Sequence, residues 1–281
     1  MNQITGRSRE NENDVDTILL NDLKVIDKTM ISNNFNEFYA EIASDIHGKI
    51  PSAKRDYITN IPINTRTIFV NPVTVHDIIS ITNSLRNTNK LYDVPAKFLK
   101  LIINVITDII TDLFNECILE GHFPTELMTS RLMPLYKQGS KLQMENYRPI
   151  SLLSTLSKIF EKVLSTQYLS FIDKHNLLSN NQFGFRKNLN TTDAALKLVN
   201  DMVPVFQNKR YGACLFVDFR KAFDTLDRDI LLRKLFIMGV RGIGDEILNS
   251  YYKGDRKQYV HVNGVSSDLL DSKNGCIQGS N

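Results

Sequence analysis

The sequence has little with which to staple or anchor itself. Among 281 residues there are three cysteines, Cys117, Cys214 and Cys276, far apart and without a CxxC pair. The five histidines fall at no metal-ligand spacing with them, which argues against a zinc module or a disulfide framework and fits a reducing compartment. The opening MNQITGRSRENENDVD contains no apolar stretch of the kind a secretory leader needs. The most apolar segment, FLKLIINVITDIITDLFNECIL, is interrupted by Lys100, Asn104, Asp108 and Asp112, so it reads as a core helix and not as a membrane span. There is no internal repeat and no GxxxxGK loop to cradle a phosphate. The expected location is cytoplasm or nucleus, with no membrane and no disulfide partner.

What is present is an ordinary globular composition, 42% hydrophobic and 23% charged, with enough chain for one large domain or two modest ones. The net charge of +3 is unevenly spread. Residues 1–130 carry 12 basic against 17 acidic side chains, and residues 131–281 carry 22 against 14. A basic second half suggests a polyanionic partner, nucleic acid first among them, although a solvated basic surface gives the same count.

Along the chain, residues 1–23 read as disordered or linker. A helix is expected from Lys28, with Phe35, Phe38, Tyr39, Ile42 and Ile46 on one face. Residues 50–72 read as a connector with one strand at most, and a helix follows over Val73–Leu85. In the long helix, Leu99, Ile102, Ile103, Ile106, Ile110, Leu113 and Cys117 share a face, and Gly121 stands at its end. RLMPLYK reads as a strand running into a turn. The next helix turns Leu156, Ile159, Phe160, Val163, Tyr168, Phe171 and Ile172 inward, and another runs over Ala195–Val203 and stops at Pro204. YGACLFVDF reads as a buried strand, followed by a helix with Asp227 as N-cap and Gly239 as stop. Val260 and Val262 alternate with polar residues before Asn263–Gly264, a hairpin signal. Helices first, then helices mixed with strands, favour an α+β class over a doubly wound sheet. The expected division is 1–23, a helical region over 24–130, and a domain over 131–281.

Asp218 closes an apolar run, where a carboxylate is costly unless hydrogen-bonded, paired or bound to a cation. Magnesium suits it, since that ion takes one or two carboxylates and otherwise keeps water and phosphate oxygens; the backbone carbonyl of Phe219 is a second donor. Pairing with Arg220 or Lys221 is the alternative. Phe223 either walls a pocket or belongs to the core, and Asp224 either binds a second cation or caps a turn. Arg148, held extended by the proline after it, and Lys158 would clamp a triphosphate if they converge, and are surface charges if they do not. In QFGFR two aromatics flank Gly184 beside Arg186 and Lys187. That pattern suits base stacking with phosphate contact, and equally a turn with core phenylalanines. GCIQGS offers close backbone approach with Gln278 as a hydrogen-bonding group, or simply a turn.

Taken in order, these segments resemble the reverse transcriptases of non-LTR retrotransposons, nearest the jockey- and CR1-like branch. NYRPISLLSTLSKIFEKVL resembles the first fingers motif, NQFGFRKNLNTTDAAL the second, FVDFRKAFDTLDRDILLRKL the first palm motif, and NGCIQGSN the glycine–proline–glutamine–glycine–serine motif that follows. FNEFYAEIA and ECILEGHFPTELMTSRLMPLYKQGS resemble the segment between endonuclease and polymerase, so the likeness covers about residues 24–281.

The resemblance implies a right-hand polymerase, present as fingers and part of a palm, acting on an RNA template, a DNA primer and dNTPs by two-metal, Mg²⁺-dependent nucleotidyl transfer. It implies that Asp218 is the first catalytic metal ligand, with the Phe219 carbonyl beside it, and that Phe223 gates against a ribose 2′-hydroxyl. Arg148 and Lys158 would face the triphosphate, Gln182, Gly184 and Arg186 the template, and Gln278 the primer–nucleotide junction. Ile277 replaces the family's proline, and Arg228 stands where histidine is common, a change expected to be harmless. The family's next motif supplies two adjacent aspartates, and no Asp-Asp pair occurs in these 281 residues. The chain as written is therefore expected to be truncated and not to polymerise. The competing expectations are a non-catalytic element remnant that binds nucleic acid, and a magnesium-dependent phosphotransferase of another fold.

Overall fold

The computed structural model describes residues 15–47, 56–87, 94–219, 221–273 and 275–277. Two compact units emerge, one from the chain up to Gln167 together with the chain from Lys221 onward, the other over Tyr168–Arg220.

The first unit is built on a mixed sheet. Strands β1 (Ile18–Leu20) and β2 (Leu23–Val25) form a small hairpin of their own. Helix α1 (Lys28–His47) follows, then a 3-10 turn over Tyr57–Asn60, α2 (Val75–Ser84) and α3 (Ala96–Leu119). Thr74 opens α2 with a reciprocal box: its hydroxyl accepts from the Asp77 amide while the Asp77 carboxylate accepts from the Thr74 amide. At the other end of the helical region, Gly121 takes φ +65° and lets its own amide and that of His122 bond back to Ile118 and Cys117, satisfying carbonyls the end of α3 would orphan.

Strands β3 (Ser130–Tyr136) and β4 (Tyr147–Leu152) pair antiparallel from Arg131–Leu152 to Tyr136–Tyr147. Helix α4 (Thr155–Lys174) follows β4 and ends in the second unit. After the second unit the chain returns through α6 (Arg228–Met238) and α7 (Ile243–Lys253) to β5 (Lys257–Val262). Strand β5 lies parallel to β3, and β6 (Val265–Ser266) and β7 (Leu270–Asp271) pair antiparallel to it. The β5–β6 turn has Asn263 at φ 53° and Gly264 at φ 79°, the left-handed pair that Asn-Gly supplies at low cost.

Alternation along the strands gives the sheet two faces. Ser130, Leu132, Tyr147, Ser151, Gln258, Val260 and Val262 are buried on the first, where α1 packs. Phe35 is fully buried, with its ring edge-on to Tyr147 at 5.2 Å and 5.7 Å from Tyr39, in a cluster shared with Val15, Ile18 and Ile31. Arg131, Met133, Arg148, Ile150, Tyr259 and His261 lie on the second face, and none of them is buried. A second core joins α3, α4 and α7 through aromatic rings: Phe114 to Phe160 at 4.5 Å, Phe123 to Phe160 at 5.1 Å and Phe123 to Tyr251 at 4.8 Å.

The second unit holds the end of α4, a loop, α5 (Thr191–Gln207) and the chain leading to Arg220. Asn190 caps α5 in the same reciprocal way with Asp193.

Several expectations need correction. The apolar run 211–219 forms no strand, and it is exposed throughout, Leu215 at 89%. A strand exists only where a neighbour takes its ladder hydrogen bonds, and among the described residues none pairs with this run. Residues 15–23 are not linker, since Val15 and Ile18 enter the core and β1 begins at Ile18; residues 1–14 lie outside the described ones. No boundary falls at 130/131, because α1 and β3–β5 share one core. Helix α5 passes through Pro204 to Gln207: proline removes only its own amide, and its carbonyl still accepts from the amide and side chain of Asn208. The inner face of α3 is rotated from the expected one, with Phe114 and Ile118 buried and Leu113 exposed. The connector over 56–72 contains no strand, within the expectation of one at most.

The packing of α1 generates a stability prediction. Phe35→Ala should cost about 3–5 kcal/mol, the range for a fully buried aromatic, read as a shift in urea midpoint. A loss below about 1 kcal/mol would mean that α1 only rests on the sheet.

Candidate nucleotide site

Two segments far apart in sequence meet after the second unit. Lys221–Thr225 is a tight turn, entered with Lys221 at φ 52° and closed by the Asp224 and Thr225 amides donating to the Lys221 carbonyl, both at 3.0 Å. The Lys221 ammonium sits 4.8 Å from the Phe38 ring centre of α1. Against this turn lies the loop of residues 272–277. The Cys276 amide donates to the Phe223 carbonyl at 2.9 Å and the Gly275 amide to the Leu226 carbonyl at 3.0 Å. Gly275 is required twice over: its φ is +72°, and a Cβ there would stand 2.7 Å from the Phe223 carbonyl oxygen and 2.8 Å from that of Asp224.

Beneath the two segments is a cavity of about 50 Å³ lined by Tyr39, Ser130, Ser151, Asp224, Gln258 and Cys276 among others. The Tyr39 hydroxyl is buried with no hydrogen-bond partner among the described residues. Burial, and then the Asp224 charge, push its pKa well above the ordinary tyrosine range. The same two causes raise the Cys276 thiol, which makes it a poor nucleophile. Asp224 thus contributes negative charge to the cavity, second to burial as a cause of both shifts.

The remaining expected site residues fall in several places. Phe223 is 44% exposed, so it is available to a ligand and is not a core residue. Arg148 is exposed on β4, on the second sheet face, opposite the side on which Ser151 lines the cavity. Lys158 is half-buried in the first turn of α4. Gln182, Gly184, Arg186, Asp218 and Phe219 belong to the second unit. There Arg186 donates to the Ser179 carbonyl at 3.1 Å, and the Gln182 side chain reaches the Gly184 carbonyl at 3.5 Å. Phe185 stands between them at φ 59° and 91% exposed, which sets aside a turn with two core phenylalanines. Gln278 lies outside the described residues.

Of the two readings of QFGFR, the exposed Phe185 fits the stacking one; sequence reasoning missed Arg131, Tyr259 and His261 on the second sheet face. Burial and the neighbouring Arg131 lower the His261 pKa. The signal was available in strand alternation once β5 was recognised.

Asp218 is exposed and lies in no regular element. Among the described residues no three His, Cys, Asp or Glu side chains gather as metal ligands, and all three cysteines are free. The donor set at Asp218 is one carboxylate and the Phe219 carbonyl, which does not suffice to organise two ions. No described helix is long and apolar enough to cross a membrane.

The cavity and its two segments suggest the test of a single methyl group. Gly275→Ala should cost about 1–3 kcal/mol from backbone strain alone, with the loss visible in a thermal melt. An unchanged melting temperature would mean that the 272–277 loop moves freely off the turn.

Residues 136–281 match the family described as reverse transcriptase (RNA-dependent DNA polymerase). Three curated relatives, all from Drosophila melanogaster, show the same kinship. The probable RNA-directed DNA polymerase from transposon BS is 30% identical over 172 residues, 60% of this chain and 18% of that protein. The RNA-directed DNA polymerase from mobile element jockey is 28% identical over 199 residues, 69% and 20%. The probable RNA-directed DNA polymerase from transposon X-element is 31% identical over 118 residues, 42% and 13%. The chain spans at most about a fifth of the length of these relatives. With the family motifs in order across the mixed sheet and its turn, the chain belongs to the reverse transcriptase family, as a domain of the non-LTR retrotransposon type.

Proposed function

We propose that the chain forms the fingers and the first part of the palm of an RNA-directed DNA polymerase, and that on its own it binds nucleic acid without extending a primer. The observation that carries this reading is the pairing of the Phe223 turn with the 272–277 loop, which joins two segments resembling successive palm motifs through backbone hydrogen bonds.

In this reading Phe223 faces the sugar of an incoming nucleotide, and its exposed ring rejects a 2′-hydroxyl by shape. Arg148 and Lys158 meet the triphosphate, and Gln278, two residues after Cys276 in the sequence, meets the primer end. Gln182, Gly184 and Arg186 run along the template, where the exposed Phe185 adds a stacking surface. Template phosphates also contact the second sheet face through Arg131, beside Tyr259. Asp218 and the Phe219 carbonyl are one part of a magnesium site. Bound magnesium would activate the primer 3′-hydroxyl and stabilise the leaving pyrophosphate. The chain's own contribution is to hold the sugar, the phosphates and the template in place.

Two measurements test this. RNA affinity, read by fluorescence anisotropy, should fall more than about tenfold between ~50 and ~200 mM salt, as counterion release from a few phosphate contacts requires. Salt-independent binding would remove the electrostatic interface. Primer extension on an RNA template with Mg²⁺ should be absent, because the sequence holds no Asp-Asp pair. Incorporation that vanishes in Asp218→Ala would overturn the claim of an incomplete metal centre.

A further inference from the structure

Arg228, the N-terminal residue of α6, was expected to be a harmless replacement of histidine. It is instead buried, and its guanidinium reaches two separate parts of the chain. Nε donates to the Gly275 carbonyl at 2.9 Å. Nη1 donates to the Ser272 carbonyl at 2.7 Å and to the Tyr252 carbonyl at 2.8 Å, and Nη2 to the Ser272 hydroxyl at 3.4 Å. Tyr252 lies in the last turn of α7, where a cation also meets the negative end of the helix. Histidine has two ring nitrogens and cannot make this set of bonds; the planar fork of arginine can.

We propose that Arg228 is a positioning residue for the nucleotide site, clamping the Ser272–Cys276 loop onto the Phe223–Leu226 turn and so fixing the spacing between the Phe223 ring and the backbone that leads to Gln278. What the loop does rests on the polymerase reading; the clamp itself does not. The two amide bonds, Gly275 to Leu226 and Cys276 to Phe223, hold the loop by its N–H groups, while Arg228 holds it by the carbonyls of Ser272 and Gly275. The Ser272 amide adds a bond to the Arg256 carbonyl at 2.9 Å, so Arg228 ties the loop to the turn and to α7 beside backbone bonds that hold its start and end. The placement is electrostatically demanding: burial, and then the charge of Arg256, lower the Arg228 pKa to about 10. Arg256 is itself buried, stacked 4.2 Å from the Tyr251 ring centre and hydrogen-bonded to the Tyr251 and Met128 carbonyls. Two guanidiniums are thus held close together under one loop.

Hydrogen exchange on the full chain, with mass spectrometric readout, tests the clamp. Arg228→Ala should speed exchange of residues 221–227 and 272–277 together by about tenfold or more, with α1 and α3 unchanged, and Arg228→Lys should recover part of the protection. In the native chain dTTP with Mg²⁺ should add protection over 272–277; this should be absent in Arg228→Ala and return in Arg228→Lys. If Arg228→Ala fails to fold, Arg228→Lys carries the test by an intermediate, coupled rise in the same two segments. A rise confined to 272–273, or an equal rise in α1 and α3 for the folded Lys variant, would overturn the clamp. Coupled exchange without any dTTP protection in the native chain would support the clamp and count against the polymerase reading.

Discussion

Phe35 fills the gap between helix α1 and the sheet, with Tyr147 edge-on to one side and Tyr39 to the other. Because it is fully buried there, α1 cannot shift along the strands without opening a cavity in the core. That one contact decides which face of β4–β3–β5 is interior. It also carries Tyr39 to the cavity beneath Asp224 and Phe38 to Lys221, so a helix that precedes the family-matched segment shapes the turn carrying Phe223. The second face of the sheet carries Arg131 and Tyr259, both half-buried, and the exposed Arg148.

The aromatic core of α3, α4 and α7 provides a second fixed body. Tyr251 belongs to it by its ring, which packs on Phe123, and donates its hydroxyl to the Glu161 carboxylate at 2.5 Å. Burial, and then the Glu161 charge, raise the tyrosine pKa far above its ordinary value, so this hydroxyl remains a donor at any physiological pH. Through Tyr251 and Tyr252 the core reaches Arg256 and Arg228, and through Arg228 the loop of Ser272 and Gly275. A site on loops is thereby supported by packed helices, which is how flexible segments acquire a defined geometry.

Much of this was legible in the sequence where the signal is local. Asp227 and Gly239 bracket α6 because a carboxylate caps a helix and glycine adopts φ 111° without strain. Asn263–Gly264 announces its hairpin for the same kind of reason. Helix α7 was passed over, although Asp245 and Glu246 in its first turn, Lys253 in its last, and Ile243, Ile247 and Tyr251 at helical spacing mark it. Where the deciding partner is distant, sequence reading failed. The run 211–219 has every local property of a buried strand and lacks only a neighbour among the described residues. Arg228 read as a harmless change because the carbonyls it binds lie 24 to 47 residues further on.

The central claim is that α1 seals one face of the sheet, and that in the proposed reading nucleic acid meets the other. Hydroxyl-radical footprinting of the full chain with and without a template RNA tests it side chain by side chain. Oxidation of Met133, Tyr259 and His261 should fall on RNA binding, while the exposed Phe98, Leu101 and Val105 of α3 react as before. Protection of the α3 side chains with Met133 and Tyr259 unchanged would place the nucleic acid elsewhere and contradict the account.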